Sequence, residues 1–316
     1  MLMSRRGLSL KCSCYRYFST ASSIAPSNTV KLAYKLHLPR IPSDKTDVQS
    51  PLIIMHGLFG SKANWQSLAE AFANDLDRSV YCLDARNHGE SPHDAVHNYD
   101  VMAEDVKGFI QDRKLKDAIV VGHSMGAKTA MILAIRYPEL VKLLVPVDNA
   151  PIDAMLTSEF PRYVRAMRDI ELRGVQKQSE ADALLQETEQ DLSIRQFLLT
   201  NLVKRKQADG SSRLQFRIPI GILAKSLDYM GDFPILPDEA RFVKPTCFIR
   251  GSKSKYVADE TIPLIGRYFP RFQIKDIDAG HWVQAEKPAE FKQVLETFIR
   301  DEEEKLGEQR QEEDDR

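Results

Sequence analysis

Short runs of consecutive apolar residues recur along this chain: Leu52-Ile53-Ile54-Met55, Val80-Tyr81-Cys82-Leu83, Ile119-Val120-Val121, Leu143-Leu144-Val145-Pro146-Val147 and Cys247-Phe248-Ile249. A strand with one wet face alternates apolar and polar residues. An unbroken run implies that both faces are covered. Helical patterns fill the gaps, at 62–76, 99–113, 126–136, 257–268 and 287–305. Strand and helix in alternation predict an α/β architecture, a mostly parallel central sheet flanked by helices. Val30 to Leu36 alternates as an edge strand does, and Phe272-Gln273-Ile274 opens a last strand.

The alternation breaks between Pro151 and Pro245. This stretch is charged, with apolar residues at helical spacing in Phe197-Leu198-Leu199 and Leu202-Val203. Gln207-Ala208-Asp209-Gly210 reads as a turn, because Asp-Gly favours a tight reversal. An insertion that leaves one strand and resumes at another predicts a helical lid. The expected organisation is therefore a core of residues 28–150 and 241–300, a helical lid over 151–240, a presequence and arm over 1–27, and an acidic tail over 301–316.

Gly122-His123-Ser124-Met125-Gly126 lies between an apolar run and a helical pattern. A G-x-S-x-G at a strand-to-helix junction is the mark of a nucleophile elbow, a sharp turn that exposes a serine hydroxyl. The small flanking residues prevent collisions with the neighbouring strand and helix. Ser124 is thus the expected nucleophile of an acyl-transfer enzyme. A serine hydroxyl needs a base to take its proton, and imidazole titrates near working pH. Of the seven histidines, His281 lies in Asp278-Ala279-Gly280-His281-Trp282, between the last strand pattern and the last helix, where this chemistry places its base.

An acid must orient that imidazole. The loop Arg250 to Val257 has no carboxylate, with Ser254 near the usual place, and Asp259 and Glu260 fall inside the next helix pattern. Asp148 ends the strand that follows the elbow, at the sheet edge where catalytic groups gather, and is the expected acid. Two backbone N–H groups should hold the developing oxyanion. The candidates are Met125, directly after the nucleophile, and Leu58 in His56-Gly57-Leu58-Phe59-Gly60, with His56 bracing that loop. In Asp84-Ala85-Arg86-Asn87-His88-Gly89-Glu90-Ser91, Asp84, Arg86 and His88 read as structural. His93 and His97 have the spacing of a zinc helix, but Pro92 precedes them and the surroundings read as loop, so no metal site is expected. His123 reads as a packing residue.

A formal net charge of −1 gives no global basic field for nucleic acid, and no apolar run reaches the ~18 residues of a spanning helix. Charge is uneven along the chain. Residues 1–43 hold seven Lys or Arg and no acid, and the first 23 are serine-rich, the composition of a mitochondrial transit peptide. Arg16-Tyr17-Phe18-Ser19 suggests cleavage after Phe18. Cys12 and Cys14 lie in that segment, and Cys82 and Cys247 read as small core residues, so no disulfide framework is expected. Residues 301–316 hold nine acids and three bases and read as a solvated, frayed tail. Oligomeric state has no signature here.

With these residues assembled, the chain resembles the mitochondrial α/β-hydrolases that include the yeast ethanol acetyltransferases and the animal abhydrolase-domain-11 proteins. The matching stretches are His56 to Gly60, Gly122 to Gly126 with Lys128, Val147-Asp148-Asn149-Ala150-Pro151, Arg195 to Leu202, and Gly280-His281-Trp282. The resemblance implies the α/β-hydrolase fold and supports Asp148 as the acid. It further implies acetyl transfer from acetyl-CoA, as co-substrate, to ethanol, giving ethyl acetate. Esterase and thioesterase activities accompany it, because water can replace the alcohol. It implies small-molecule substrates and no bound cofactor. The alternative is a mitochondrial ester or thioester hydrolase without transferase activity.

Overall fold

The computed structural model describes residues 29–44, 49–153, 159–206 and 210–314. The expected presequence, with Cys12 and Cys14, and the start of the expected turn at Gln207-Ala208-Asp209 lie outside the described residues. The chain forms β1 (Tyr34–His37), β2 (Leu52–Met55), α1 (Gln66–Asp75), β3 (Val80–Leu83), α2 (Tyr99–Asp112), β4 (Ala118–His123), α3 (Met125–Arg136) and β5 (Val141–Val147). It continues with α4 (Glu159–Arg173), α5 (Gln178–Gln186), α6 (Leu192–Leu199), β6 (Leu202–Lys206), β7 (Ser212–Phe216) and α7 (Ile220–Gly231). The last elements are β8 (Thr246–Gly251), α8 (Ile262–Tyr268), β9 (Phe272–Ile277), α9 (Val283–Glu286) and α10 (Pro288–Asp314).

Seven strands form one sheet in the order β1-β3-β2-β4-β5-β8-β9. β1 runs antiparallel to β3 at the edge, and every other neighbouring pair is parallel. The continuous apolar runs have their physical reason in the two faces. Ile53, Met55, Val120 and Leu144 belong to one core with Met102 and Phe109 of α2 and Met131 of α3. Leu52, Ile54, Ile119 and Val145 belong to the opposite core with Phe72 of α1 and Phe291 and Leu295 of α10. Successive side chains on a strand point to opposite faces, so a strand covered on both sides must be apolar throughout. Burying each such side chain stabilises the fold by about 1.5–3 kcal/mol. Parallel order also brings the carboxyl ends of β2, β4, β5 and β8 to one edge, and the site lies there.

The stretch between β5 and β8 departs from an all-helical lid. It holds α4 to α7, but β6 and β7 pair as an antiparallel hairpin, from Leu202 opposite Phe216 to Lys206 opposite Ser212. β6 is half-buried at Leu202 and Val203 and exposed from Lys204 onward, so its apolar residues are too few to distinguish a strand from a helix. The acidic tail also departs from expectation. α10 runs on to Asp314, Glu302 is buried, and Glu303 accepts hydrogen bonds from Arg78 (2.8 Å) and Lys142 (2.8 Å). The first turn of the presumed frayed segment is thus docked, because two cations at the base of the sheet face it. Among the described residues, no helix is long and apolar enough to cross a membrane.

Candidate active site

Ser124 sits between β4 and α3 with φ 54° and ψ −113°. A non-glycine residue at such angles is strained by about 1–3 kcal/mol and persists only where its surroundings determine it. Here the turn is too tight for side chains on either flank. A Cβ on Gly122 would stand 2.1 Å from the Gly126 carbonyl oxygen, and one on Gly126 would stand 2.7 Å from that of His56. The spacing of the two glycines is therefore a packing requirement of the turn that lifts Ser124 out of the sheet.

His281 Nε2 lies 2.9 Å from Ser124 Oγ, and His281 Nδ1 lies 2.6 Å from Asp148 Oδ2. The structure thus joins Ser124, His281 and Asp148 in one hydrogen-bonded chain, across 157 and 133 residues of sequence. Asp148 is fully buried and, like Ser124, has a positive φ (50°). Its Oδ1 accepts from the Gly251 N–H at 3.0 Å, and its Oδ2 accepts from Ser254 Oγ at 2.5 Å. Ser254, noted in the sequence as standing where an acid is usual, is a hydrogen-bond donor to the acid that replaces it.

The His281 ring is held on several sides. Tyr256 stacks on it at 4.1 Å and 25°, and His123 donates from Nε2 to the His281 carbonyl at 2.8 Å. Burial and the neighbouring His281 push the His123 imidazole down to about 3, so it stays neutral and cannot compete as a base. Glu286 accepts from the N–H groups on either side of His281, Gly280 at 2.8 Å and Trp282 at 3.3 Å. Packing was the expectation for His123; its hydrogen bond, the Tyr256 stack and the Glu286 clasp have no local signature in the sequence.

The Leu58 N–H has no hydrogen-bond partner among the described residues, and Leu58 lines the cleft beside Ser124. Met125, the first residue of α3, has an N–H that no helical carbonyl can reach. His56 braces the loop as expected. Its Nε2 accepts from the Ala85 N–H at 3.0 Å, which leaves Nδ1 to donate to the Gly57 carbonyl at 2.7 Å. His88 does the same one step along, accepting from the Phe59 N–H at 3.1 Å and donating to the Arg86 carbonyl at 2.9 Å. Burial lowers both imidazoles from the ordinary histidine value, so both remain neutral in these tautomers. Asp84 anchors Lys62, and Arg86 pairs with buried Asp105, both as framework. His93 and His97 lie on a loop rather than a helix. His97 is buried and pushed to about 3, and no group of three metal-ligating side chains occurs among the described residues.

A cleft of about 600 Å³ opens above Ser124 and His281. The insertion forms one wall, with Phe160 of α4 and Phe197 of α6, and Trp65 and Trp282 of the core face it. Asp191 and Glu286 also line it, and among the described residues no lysine or arginine does.

A parallel sheet that presents a strained serine at its carboxyl edge, with an imidazole and a carboxylate brought from later strands, is the arrangement of the α/β-hydrolases. The chain belongs to that family: the profile of the alpha/beta hydrolase fold matches residues 50–288. It is 40% identical to a probable alcohol acetyltransferase of Saccharomyces cerevisiae, over 81% of this chain and 79% of that one. It is 36% identical to the sn-1-specific diacylglycerol lipase ABHD11 of Xenopus tropicalis, over 90% and 87%. Among solved structures, a marine microorganism esterase matches with a TM-score of 0.76 and 32% identity, over 85% of this chain and all of that one. The chain is a hydrolase or acyltransferase of this fold.

Proposed function

We propose that the protein is an alcohol acetyltransferase that forms ethyl acetate from acetyl-CoA and ethanol through an acetyl-Ser124 intermediate, with ester and thioester hydrolysis as side reactions. The hydrogen-bonded chain Asp148–His281–Ser124 at the floor of the cleft carries this reading. Ser124 Oγ attacks the thioester carbonyl as His281 Nε2 takes its proton, and Asp148 stabilises the imidazolium. The Leu58 and Met125 amides donate to the oxyanion. The C–S bond breaks, the CoA thiolate takes the proton from His281, and acetyl-Ser124 remains. Ethanol then loses its proton to His281 and attacks the acetyl carbonyl. Collapse releases ethyl acetate and returns the proton to Ser124. Water in place of ethanol gives acetate. The chemistry needs no bound cofactor and no metal.

Transfer and hydrolysis share the acyl-serine, and their balance depends on whether the cleft holds an alcohol in line and limits water. The likeness to a named alcohol acetyltransferase supports transfer. A second reading, a serine ester or thioester hydrolase without significant transferase activity, is supported by the cleft itself. Asp191 and Glu286 line it, and no lysine or arginine does among the described residues, so none of these offers the CoA phosphates a cation inside the cleft. The deciding experiment incubates purified protein with acetyl-CoA, with and without ethanol, and measures ethyl acetate and free acetate against Ser124→Ala. Ethyl acetate above the Ser124→Ala level supports the transferase; acetate alone leaves the hydrolase. The basic, serine-rich composition of residues 1–27 supports placing the enzyme in mitochondria. A fluorescent fusion of that segment that stays in the cytosol would remove this placement.

A further inference from the structure

The loop beside Ser124 has a third clamp, supplied by the insertion rather than by the core. Three consecutive peptide groups run from Gly57 to Gly60. The carbonyl of the first accepts from His56 Nδ1 at 2.7 Å and from the Gly60 N–H at 2.9 Å. A trans peptide is planar, so its N–H, that of Leu58, points away from those donors. The N–H of the second peptide, on Phe59, donates to His88 Nε2 at 3.1 Å. The carbonyl of the third, also of Phe59, accepts from Asn201 Nδ2 at 2.7 Å. Phe59 is buried with φ 63°, a conformation that a phenylalanine keeps only under constraint from both sides.

Asn201 stands just past the end of α6, 142 residues from Phe59, and is itself buried. Its own carbonyl accepts from the Arg217 N–H at 2.8 Å, which closes the open end of the β6–β7 hairpin. One side chain thus connects the helix, the hairpin and the loop. Without its N–H₂ donor the buried Phe59 carbonyl loses this partner, and the turn that aims the Leu58 N–H is held from the core side alone.

We propose that Asn201 is a positioning residue that aims the Leu58 N–H at the reacting carbonyl oxygen, so that turnover depends on how the insertion is seated. The proposal deepens the acyl-serine reading and rests on it. An oxyanion donor acts in the transition state and not on the ground-state ester. Asn201→Leu, which keeps the branched shape and removes the donor, is therefore expected to lower kcat for p-nitrophenyl acetate by about tenfold to a hundredfold with KM within about twofold, since a full oxyanion donor is worth about 10²–10³.

The distinguishing measurement is inhibition by an aryl trifluoromethyl ketone, which binds serine as a tetrahedral oxyanion. Its affinity is expected to fall by the same factor as kcat/KM, while inhibition by the corresponding uncharged amide is unchanged. Asn201→Ala, smaller and likewise without a side-chain donor, gives a second reading of the same quantities should the leucine variant not fold. A rise in KM at constant kcat, or a fall in kcat with ketone affinity unchanged, overturns the proposal. Wild-type protein without Ser124-dependent ester turnover overturns the acyl-serine reading and this proposal with it. Active wild type with unaltered variants overturns this proposal alone.

Discussion

Asp148 meets three donors with one carboxylate: His281, Ser254 and the Gly251 N–H. These contacts are unequal in consequence. Removing the negative charge removes what selects the His281 tautomer and stabilises its protonated form, a loss of about ten-thousandfold in kcat for comparable triads. Removing the Ser254 hydroxyl deletes one hydrogen bond to a charged group and leaves two, a change of about 1.5–3 kcal/mol at most in holding the carboxylate and only partly felt in turnover. Asp148→Asn is therefore expected to lower kcat by about four orders of magnitude. Ser254→Ala is expected to lower it by no more than about tenfold, since the hydroxyl orients the acid without touching substrate. Steady-state ester hydrolysis by the two variants checks this, and the reverse order removes Asp148 from its proposed role. Ser124 and Asp148 were legible in the sequence because each directly follows a strand, and His281 because it lies in the loop between β9 and the last helices; parallel strands deliver all three to one edge. The partners that hold them were not. Ser254 reaches Asp148 across 106 residues, and Glu286 acts through backbone N–H groups that any sequence possesses.

The insertion meets the core at a narrow neck built around a buried cation. Lys128, one turn into the elbow helix α3, donates from Nζ to the carbonyls of Ile152 (2.9 Å), Gly231 (2.6 Å) and Asp232 (2.9 Å). It thereby ties the chain entering the insertion to the chain leaving it. Tyr99 of α2 donates to the Met230 carbonyl, its ring lies 5.6 Å from Nζ, and Asp153 accepts from the Phe233 N–H. Burial pushes the Lys128 amine down to about 8, against a smaller opposing pull from Asp153 and Asp232. A depressed pKa favours the deprotonated form in the fold. Its stabilising contribution is thus complete above the unfolded value of about 10.4 and is lost as pH falls through about 8. The stability of wild type relative to Lys128→Met is therefore expected to rise between pH 8 and pH 10, by up to about 1.4 kcal/mol per pH unit. Urea unfolding of both proteins across that range measures it; a flat difference would mean that the amine is solvated. None of this neck is visible in a hydrophobic pattern, because its partners are main-chain carbonyls. The strands and helices of the core were legible for the opposite reason, since a sheet covered on both faces writes its burial into consecutive residues. The β6–β7 hairpin was misread as helix because Lys204, Arg205 and Lys206 face water and carry no pattern of burial.

Taken end to end, the chain closes on itself through its acidic C-terminal helix. Glu303 of α10 bonds Arg78, just before β3, and Lys142 of β5, so one carboxylate links the last helix to two strands of the sheet at the end remote from the cleft. Arg78 also donates to the carbonyls of Ser50 and Leu76, which keeps its guanidinium satisfied while buried. Burial by itself would raise the Glu303 carboxyl, but the bonds to Arg78 and Lys142 outweigh it and hold the group below the ordinary carboxylate value. The fold therefore favours the charged form. The stabilisation is fully present above the unfolded pKa of about 4.3 and disappears as pH falls through the lower folded value. Glu303→Gln keeps the shape and removes the charge. It is expected to destabilise the protein at pH 7 by about 1–3 kcal/mol, the range for hydrogen bonds to charged groups in partial burial. The difference is expected to start shrinking as pH falls below the unfolded pKa of about 4.3 and to vanish only once pH is below the lower folded value, where wild type itself takes up the proton. Denaturant unfolding at pH 7 and in steps downward from about pH 5 tests both parts. Because Glu303 is at the opposite end of the strands from Ser124, ester turnover by the folded variant at pH 7 is expected to match wild type. Equal stability of the two proteins at pH 7 would mean that α10 is held by its apolar face, Phe291, Leu295, Phe298, Ile299 and half-buried Leu306, without help from the Glu303 ion pairs.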